Sequence, residues 1–312
     1  LKKKKGNKID GWLAIDKPAG MTSAHVVAVL KRALKPEKIG HAGTLDPLAT
    51  GILPIALGEA TKTVPYVMDA DKTYSFTVRW GASTASDDSE GEVTATSEVR
   101  PTREAIEAAL PKFRGDILQV PPQVSAIKVD GERAYDLARA GETFDLKPRP
   151  AQVFAFDLED MPSADEARFT VTSGKGCYMR ALARDLAKEV NTLGHITALR
   201  RHRVGRFDEA LAIPLENFRG LEHSPPPFEG LLSIETALDD IPALALTESE
   251  ARHLRHGQSL MLISRQDRDR LEQAGVALDQ EDSLALASCA GKAVAIVAVD
   301  GASLQPVRVF NL

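Results

Sequence analysis

The sequence predicts an α+β chain built in two parts, and three observations carry that reading. Residues 72–80 alternate without a break, with Tyr74, Phe76, Val78 and Trp80 on one face and Thr73, Ser75, Thr77 and Arg79 on the other. That is the period of a half-buried strand. Residues 22–34 and 178–190 instead bring their apolar side chains round at helical spacing (Val26, Leu30 and Leu34; Met179, Leu182 and Leu186), each giving one buried stripe. The run Pro225-Pro226-Pro227 then breaks the chain, and short apolar strands recur beyond it at 284–288, 292–299 and 304–310.

Composition bounds what such a chain can do. With 312 residues, 43% of them hydrophobic, two cores can be buried. Cys177 and Cys289 lie far apart, which suggests neither a disulfide framework nor a metal cage. No apolar run approaches membrane-spanning length. Residues 1–9 begin Leu1-Lys2-Lys3-Lys4-Lys5 without an apolar segment behind them and read as a basic tail rather than a signal peptide. A cytoplasmic protein is expected. The net charge of −5 is unevenly spread: residues 234–312 hold 7 Lys+Arg against 12 Asp+Glu, whereas residues 174–206 hold 8 against 2. A local excess of that kind, rather than the overall charge, is what phosphate binding needs; a solvated basic face is the other reading.

Taken in order, residues 11–16 read as a short strand ended by Lys17-Pro18-Ala19-Gly20, with Thr22 or Ser23 capping the helix over 22–34. Residues 58–68 read as a helix that Pro65 should end or kink. Residues 81–91 are polar and acidic and read as a loop or hairpin tip; the spacing does not fit a calcium loop. Thr102 caps a helix ending near Pro111, Pro121-Pro122 mark a break, and 133–139 read as a helix capped by Gly141. A strand over 168–173 feeds through Gly174 and Gly176 into the 178–190 helix. Arg184 and Lys188 read there as a solvated face. Arg180 lies in the first turn, where the helix dipole disfavours a cation, so an anionic partner is expected. Residues 199–207 read as a basic strand, 219–230 as a linker, and 249–256 as a helix stopped by Gly257.

One stretch is different in kind: Gly40-His41-Ala42-Gly43-Thr44-Leu45-Asp46-Pro47-Leu48-Ala49-Thr50-Gly51. Three glycines and a proline prescribe tight turns, and a single carboxylate, Asp46, stands in the middle with its backbone pushed out of the α region by Pro47. From composition alone, a plain strand–loop–strand connection in which Asp46 caps something stays open. No Gly-Lys-Ser/Thr follows, so this is not a nucleotide-binding loop.

This stretch resembles the active-site signature of the TruB family of tRNA pseudouridine synthases, and the resemblance extends over most of residues 10–218. It implies a mixed, mainly antiparallel central sheet flanked by helices (the pseudouridine synthase fold) over residues 10–230. An insertion over 81–150 would close on RNA, and a small PUA-like β-barrel would occupy 234–312. It implies conversion of uridine 55 in the T loop of tRNA to pseudouridine, without cofactor or metal and with no obligatory protein partner. By the same resemblance Asp46 is the catalytic residue and Arg180 its ionic partner, keeping it charged despite burial. Tyr74, from Asp71-Lys72-Thr73-Tyr74, stacks on the flipped base and could share in proton transfer, although a tyrosine on that strand face is otherwise core. Leu199 contacts the base from the other side, and His41 fills the space the base leaves. Lys17 and Pro18 brace the floor, and Lys17 and Tyr178 are grouped with the substrate-binding residues. Arg200 and Arg201 are candidate phosphate contacts. Cys177 reads as packing, and Val124 stands where an aromatic is expected. Two other readings stay open: an RNA-binding or RNA-folding protein on the same scaffold, and a guide-RNA-dependent synthase, whose longer basic extensions are not evident.

Overall fold

A computed structural model of the chain describes residues 6–125, 128–129, 132–133, 144–219, 230–276 and 283–312. Of the expected helix over 133–139 only Arg133 is described, at the end of a short strand; its other residues and the Pro225–Pro227 run lie outside the described residues.

Strand β1 (Gly11–Lys17) is buried except at the half-exposed Asp16 and leads into helix α1 (Ser23–Leu34). Thr22 caps α1 by accepting the His25 N–H, and Lys35 ends it in the left-handed region. Strands β2 (Ile39–His41) and β3 (Thr50–Leu57) bracket the 42–49 loop. The helix read over 58–68 is a 3-10 turn (Gly58–Thr63) continuing into α2 (Val64–Asp69). Pro65 starts α2 rather than ending it, because a proline in the first turn gives up an N–H that has no partner there. Next come β4 (Lys72–Trp80), the hairpin β5 (Ala82–Thr84) with β6 (Val93–Thr96), α3 (Arg103–Ala109), β7 (Gly115–Gln119), and the short pair β8 (Lys128–Val129) and β9 (Glu132–Arg133). The long β10 (Arg149–Ser163), β11 (Glu166–Ser173), α4 (Met179–Glu189), β12 (Gly194–Val204), β13 (Phe207–Asp208) and β14 (Ala212–Pro214) complete this part.

Ten of these strands form one sheet, ordered β14-β1-β3-β12-β4-β11-β10-β7, with β2 on β3 and β13 on β12. It is mainly antiparallel. The exceptions are β1 with β14, and β3 with β12, which pair in parallel over Arg200↔Thr50 and Arg201↔Gly51. Helices α1, α3 and α4 bury their apolar stripes on this sheet, with Phe76, Phe156, Phe169 and Trp80 in ring contact at the centre. The alternation over 72–80 therefore meant what it suggested: Phe76, Val78 and Trp80 are buried and Arg79 is exposed.

The C-terminal part is a five-stranded sheet ordered β15-β17-β18-β19-β16, from β15 (Ala243–Ala245), β16 (Leu260–Met261), β17 (Ser283–Cys289), β18 (Lys292–Asp300) and β19 (Ser303–Val309). It carries α5 (Glu248–Arg255) and α6 (Arg265–Gln273). Helix α6 was not read from sequence, since its apolar face is a single buried Leu271; its signal was the capping pair Ser264 and Asp267. A third core joins the two sheets: Trp12, Ile52, Val204 and Phe207 from the first pack with Leu286, Ile296 and Phe310 from the second. Arg206 meets Asp239 at 2.7 Å, and Lys62 Nζ donates to the Val309 carbonyl at 2.7 Å.

Candidate active site

The 40–51 stretch is held almost entirely through its backbone. Ser23 Oγ accepts the Leu45 N–H at 2.9 Å and donates back to the Leu45 carbonyl at 3.2 Å. Lys17 Nζ donates to the carbonyls of Pro18, Met21 and Pro47 at 2.9, 2.7 and 3.2 Å. Arg201 donates from Nε to the Ile52 carbonyl at 2.8 Å and from Nη2 to the Gly43 carbonyl at 3.0 Å. The Ala49 N–H closes a turn onto the Asp46 carbonyl. Gly43 and Gly51 both take positive φ, +96° and +99°, and a Cβ on Gly51 would stand 2.1 Å from the Arg201 carbonyl oxygen. Two of the three glycines are thus forced by geometry. With the backbone fixed, Asp46 projects its carboxylate from the loop. Its side chain is 35% exposed, so it is half-open rather than buried as the sequence suggested.

Arg180, itself 5% exposed, donates from Nε to Asp46 Oδ2 at 2.9 Å. The anion expected beside a first-turn arginine is present, and there is a second: Asp88 Oδ2 lies 3.6 Å from the same Nε, while Nη1 donates to the Ser86 carbonyl at 2.8 Å. The 81–91 segment is the tip of the β5–β6 hairpin, as read from sequence, and it packs against α4. Asp88 is 2% exposed, takes the Ser86 hydroxyl and the Glu90 N–H, and so presents an oriented carboxylate to the guanidinium. Arg184, one turn further along α4, is also not solvated. It donates to Asp87 Oδ2 at 2.9 Å and to the Val120 carbonyl at 2.7 Å. Lys188 does sit on an open face, 3.7 Å from Asp185. Burial pushes the Asp87 carboxyl up, with the Arg184 charge opposing.

Tyr74 lies on β4 beside this group. Burial pushes its phenol above the usual tyrosine range, against the nearby Arg201 guanidinium, so it is a protonated donor near neutral pH and not a base. Leu199 is 7% exposed and packs in the sheet core with Phe76 across the strand pair. His41, at the end of β2, is held below the usual histidine range by burial and by Arg201, and is neutral. Its Nδ1 is buried without a hydrogen-bond partner among the described residues. Tyr178 immediately precedes α4 and is half-buried. Burial takes the Cys177 thiol to about 12, an inert packing group as read from sequence.

Three assignments change. Lys17 has no exposed surface, so it cannot touch a substrate; it braces the loop, and burial lowers it to about 8 with the Asp46 charge opposing. Arg201 is 1% exposed and spends its donors on loop carbonyls, so it is no phosphate contact. The basic excess over 174–206 is not a free patch either. Six of its eight cations face a carboxylate: Lys175 with Asp69, Arg180 with Asp46, Arg184 and Lys188 with Asp185, Arg200 with Asp16 and Glu209, Arg206 with Asp239. Arg200 keeps some exposed surface (32% of its side chain), at the edge of a cleft of about 410 Å³ lined by Leu48, Thr50, Phe76 and Leu199.

Sequence reasoning missed Ser23, Ser86, Asp87, Asp88 and Gln119. Asp88 and Asp87 had a signal in the charged residue every fourth position on α4, which requires partners if that face is covered. Gln119 is 3% exposed; its carboxamide accepts the Tyr178 N–H at 2.8 Å and donates to the Tyr178 carbonyl at 3.0 Å. Among the described residues no group of three or more His, Cys, Asp or Glu side chains is placed to hold a metal ion, and no helix is long and apolar enough to cross a membrane.

A carboxylate fixed on a rigid loop and locked to a buried arginine can act on a substrate while ionised, in a setting that strengthens its electrostatics. Comparison with known proteins bears on which substrate. Residues 31–179 match the family described as TruB family pseudouridylate synthase (N terminal domain). The chain is 52% identical to tRNA pseudouridine synthase B of Caulobacter vibrioides, over 100% of this chain and 99% of that one. It is 58% identical to the protein of that name in Gluconacetobacter diazotrophicus, over 84% and 86%. Among solved structures, a chain of a Cbf5-Nop10-Gar1 complex superposes with a TM-score of 0.71 at 22% identity, covering 96% of this chain and 84% of that one. That likeness concerns the fold, a mainly antiparallel pseudouridine synthase sheet with a PUA-like C-terminal part.

Proposed function

The chain belongs to the TruB family of pseudouridylate synthases, and from that membership we propose that it isomerises uridine 55 in the T loop of tRNA, with Asp46 as the residue that acts on the nucleotide. It is a tRNA pseudouridine synthase, an isomerase, as its relatives of about 50% identity are by name. The reaction breaks the bond from N1 of uracil to the ribose C1′, turns the base over, and joins C5 to C1′. The C5 proton leaves and N1 gains one, so no redox equivalent or energy source enters. A base stacked in a folded loop has to be flipped out to reach a protein carboxylate.

The observation that carries the reading is the Asp46–Arg180 ion pair on a loop whose backbone is independently pinned. Asp46 acts on the nucleotide, and Arg180 holds its direction. Tyr74 offers a ring face and a protonated hydroxyl to the extruded base, with Leu199 as the apolar wall beside it. Neutral His41 occupies the space vacated in the RNA, and Tyr178 and Arg200 flank the entry. Lys17 and Arg201 serve the site from behind by fixing the loop. Residues 10–230 form the catalytic domain, and 234–312 an RNA-binding domain whose acidic balance limits its phosphate contacts. The partner is the T stem-loop of tRNA, the location the cytoplasm, and no protein partner is needed.

The test is tritium release from unmodified tRNA labelled at C5 of uridine, comparing wild type with Asp46→Asn. Release by the wild type alone, mapped to the T loop, is the expected result. Equal release by the variant would remove Asp46 from its role. Tight tRNA binding with no release by either would favour an RNA-binding protein on this scaffold.

A further inference from the structure

Helix α4 carries Arg180 in its first turn, yet it starts without the usual device. Its N-cap is Tyr178, whose side chain makes no capping hydrogen bond. The first turn of a helix leaves backbone N–H groups without intrahelical partners, and a helix that begins without a cap frays there. A fraying first turn would move Arg180 away from Asp46.

A partner for the N-cap residue's own peptide comes from 59 positions earlier in the chain. Gln119, the last residue of β7, sets its carboxamide against the Tyr178 peptide, accepting from N–H at 2.8 Å and donating to C=O at 3.0 Å. Both polar ends of the side chain are used, and the residue is 3% exposed. The Tyr178 carbonyl also receives the first α4 hydrogen bond, from Leu182 N–H at 3.0 Å. The adjacent Val120 carbonyl takes Arg184 Nη2 at 2.7 Å, so two consecutive residues of one strand end grip α4 at two successive turns. The hydrogen bonds of Gln119 go to the Tyr178 backbone and not to Asp46 or Arg180.

We infer that Gln119 is a positioning residue for Arg180, a remote cap that fixes the start of α4 and thereby the direction of the guanidinium toward Asp46. This rests on the synthase reading above. Because β7 lies in the 81–150 insertion, the segment expected to close on RNA and the helix that bears Arg180 are tied at Gln119. Gln119→Glu keeps the acceptor for the Tyr178 N–H, and its charge suits a helix N-terminus, but it loses the donor. Gln119→Met keeps the length and loses both.

The experiment measures single-turnover pseudouridine formation on a tRNA transcript and, separately, tRNA affinity, for wild type, Gln119→Met, Gln119→Glu, Arg180→Lys and the double variant Gln119→Met/Arg180→Lys. Gln119→Met should slow the chemical step on the order of ten- to a hundredfold, the effect of misplacing a reacting group by a fraction of an ångström to an ångström, with tRNA affinity within about twofold. Gln119→Glu should recover part of the rate. In the Arg180→Lys background, Gln119→Met should add little, because the group it positions is already altered. Full additivity in the double variant, or a loss confined to affinity, would overturn the inference, as would an unchanged rate in Gln119→Met. Failure of the synthase reading itself would show as an inactive wild type.

Discussion

Two buried arginines reach the 40–51 loop, Arg201 from a strand and Arg180 from a helix, and they hold different parts of it. Arg201 gives its donors to backbone carbonyls at Gly43 and Ile52, and Lys17 does the same at Pro47. Arg180 gives its charge to side-chain carboxylates, Asp46 and Asp88. One set of cations therefore fixes the shape of the loop, and Arg180 fixes the direction of the acid that projects from it. Hydrogen bonds to carbonyls leave the net charge of a cation uncompensated, which burial makes costly; an ion pair compensates it but commits the carboxylate. The comparison teaches that a functional acid can be paired without being used up, provided the scaffold does not lean on the same pair.

The sharpest way to break this division is Arg180→Lys. The charge stays but the two-sided fork is lost. Single-turnover pseudouridine formation should fall on the order of a hundred- to a thousandfold, as when one electrostatic donor is removed from a transition state. The urea unfolding midpoint should move less than in the next variant. Arg201→Met should do the reverse. It leaves two buried carbonyls unpaired, at about 1–3 kcal/mol each before relief of the buried charge, for a net loss near ~2 kcal/mol by urea unfolding, with a smaller effect on rate. Equal ratios of rate loss to stability loss in the two variants would dissolve the distinction.

A smaller effect sharpens it further. Burial lowers Lys17 from 10.5 to about 8 in the folded protein. Between those pH values the unfolded chain binds a proton that the folded chain does not, so the contribution of this residue to stability rises with pH through that window. Its cost is present in full below pH 8. The unfolding free energy of wild type relative to Lys17→Met should therefore increase from about pH 7.5 to about pH 9.5, by about 1–2 kcal/mol. A flat difference would show that Lys17 keeps its proton on the three carbonyls, and that the loop tolerates a buried charge there.

How much of this was legible depends on how far the partners lie apart in the chain. The loop was readable because its constraints are local: Gly43, Pro47 and Gly51 prescribe the turns within the motif itself. Arg180 was half-readable, since a cation in a first helical turn asks for an anion, although not for two. The acidic residues 87–88 were readable as part of a hairpin tip but not as partners of Arg180 and Arg184, because the contact needs α4, about ninety residues on, docking against them. Arg201 was misread for a similar reason. A run of arginines suggests phosphate, but strand alternation from the buried Leu199 points Arg201 to the same inner face, a signal that the charge count obscured. Gln119 had no sequence signal, because a carboxamide capping a helix 59 residues away leaves no local pattern.

The parallel contact of β3 with β12 has a consequence beyond the site. Among the described residues, the backbone ladder between the β12-to-β7 side and the β14–β1–β3 side of the sheet runs through the pairs at Thr50 and Gly51, with Arg201 to the Ile52 carbonyl and Arg200 to Asp16 as side-chain links. At Gly51 the fit is so close that a single methyl group would collide with the facing carbonyl oxygen at 2.1 Å. The ladder is thus short along this line, and the line begins at the residue that ends the Asp46 loop. Any side chain installed at position 51 acts as a wedge there, prising β3 from β12 directly beside the Asp46 loop.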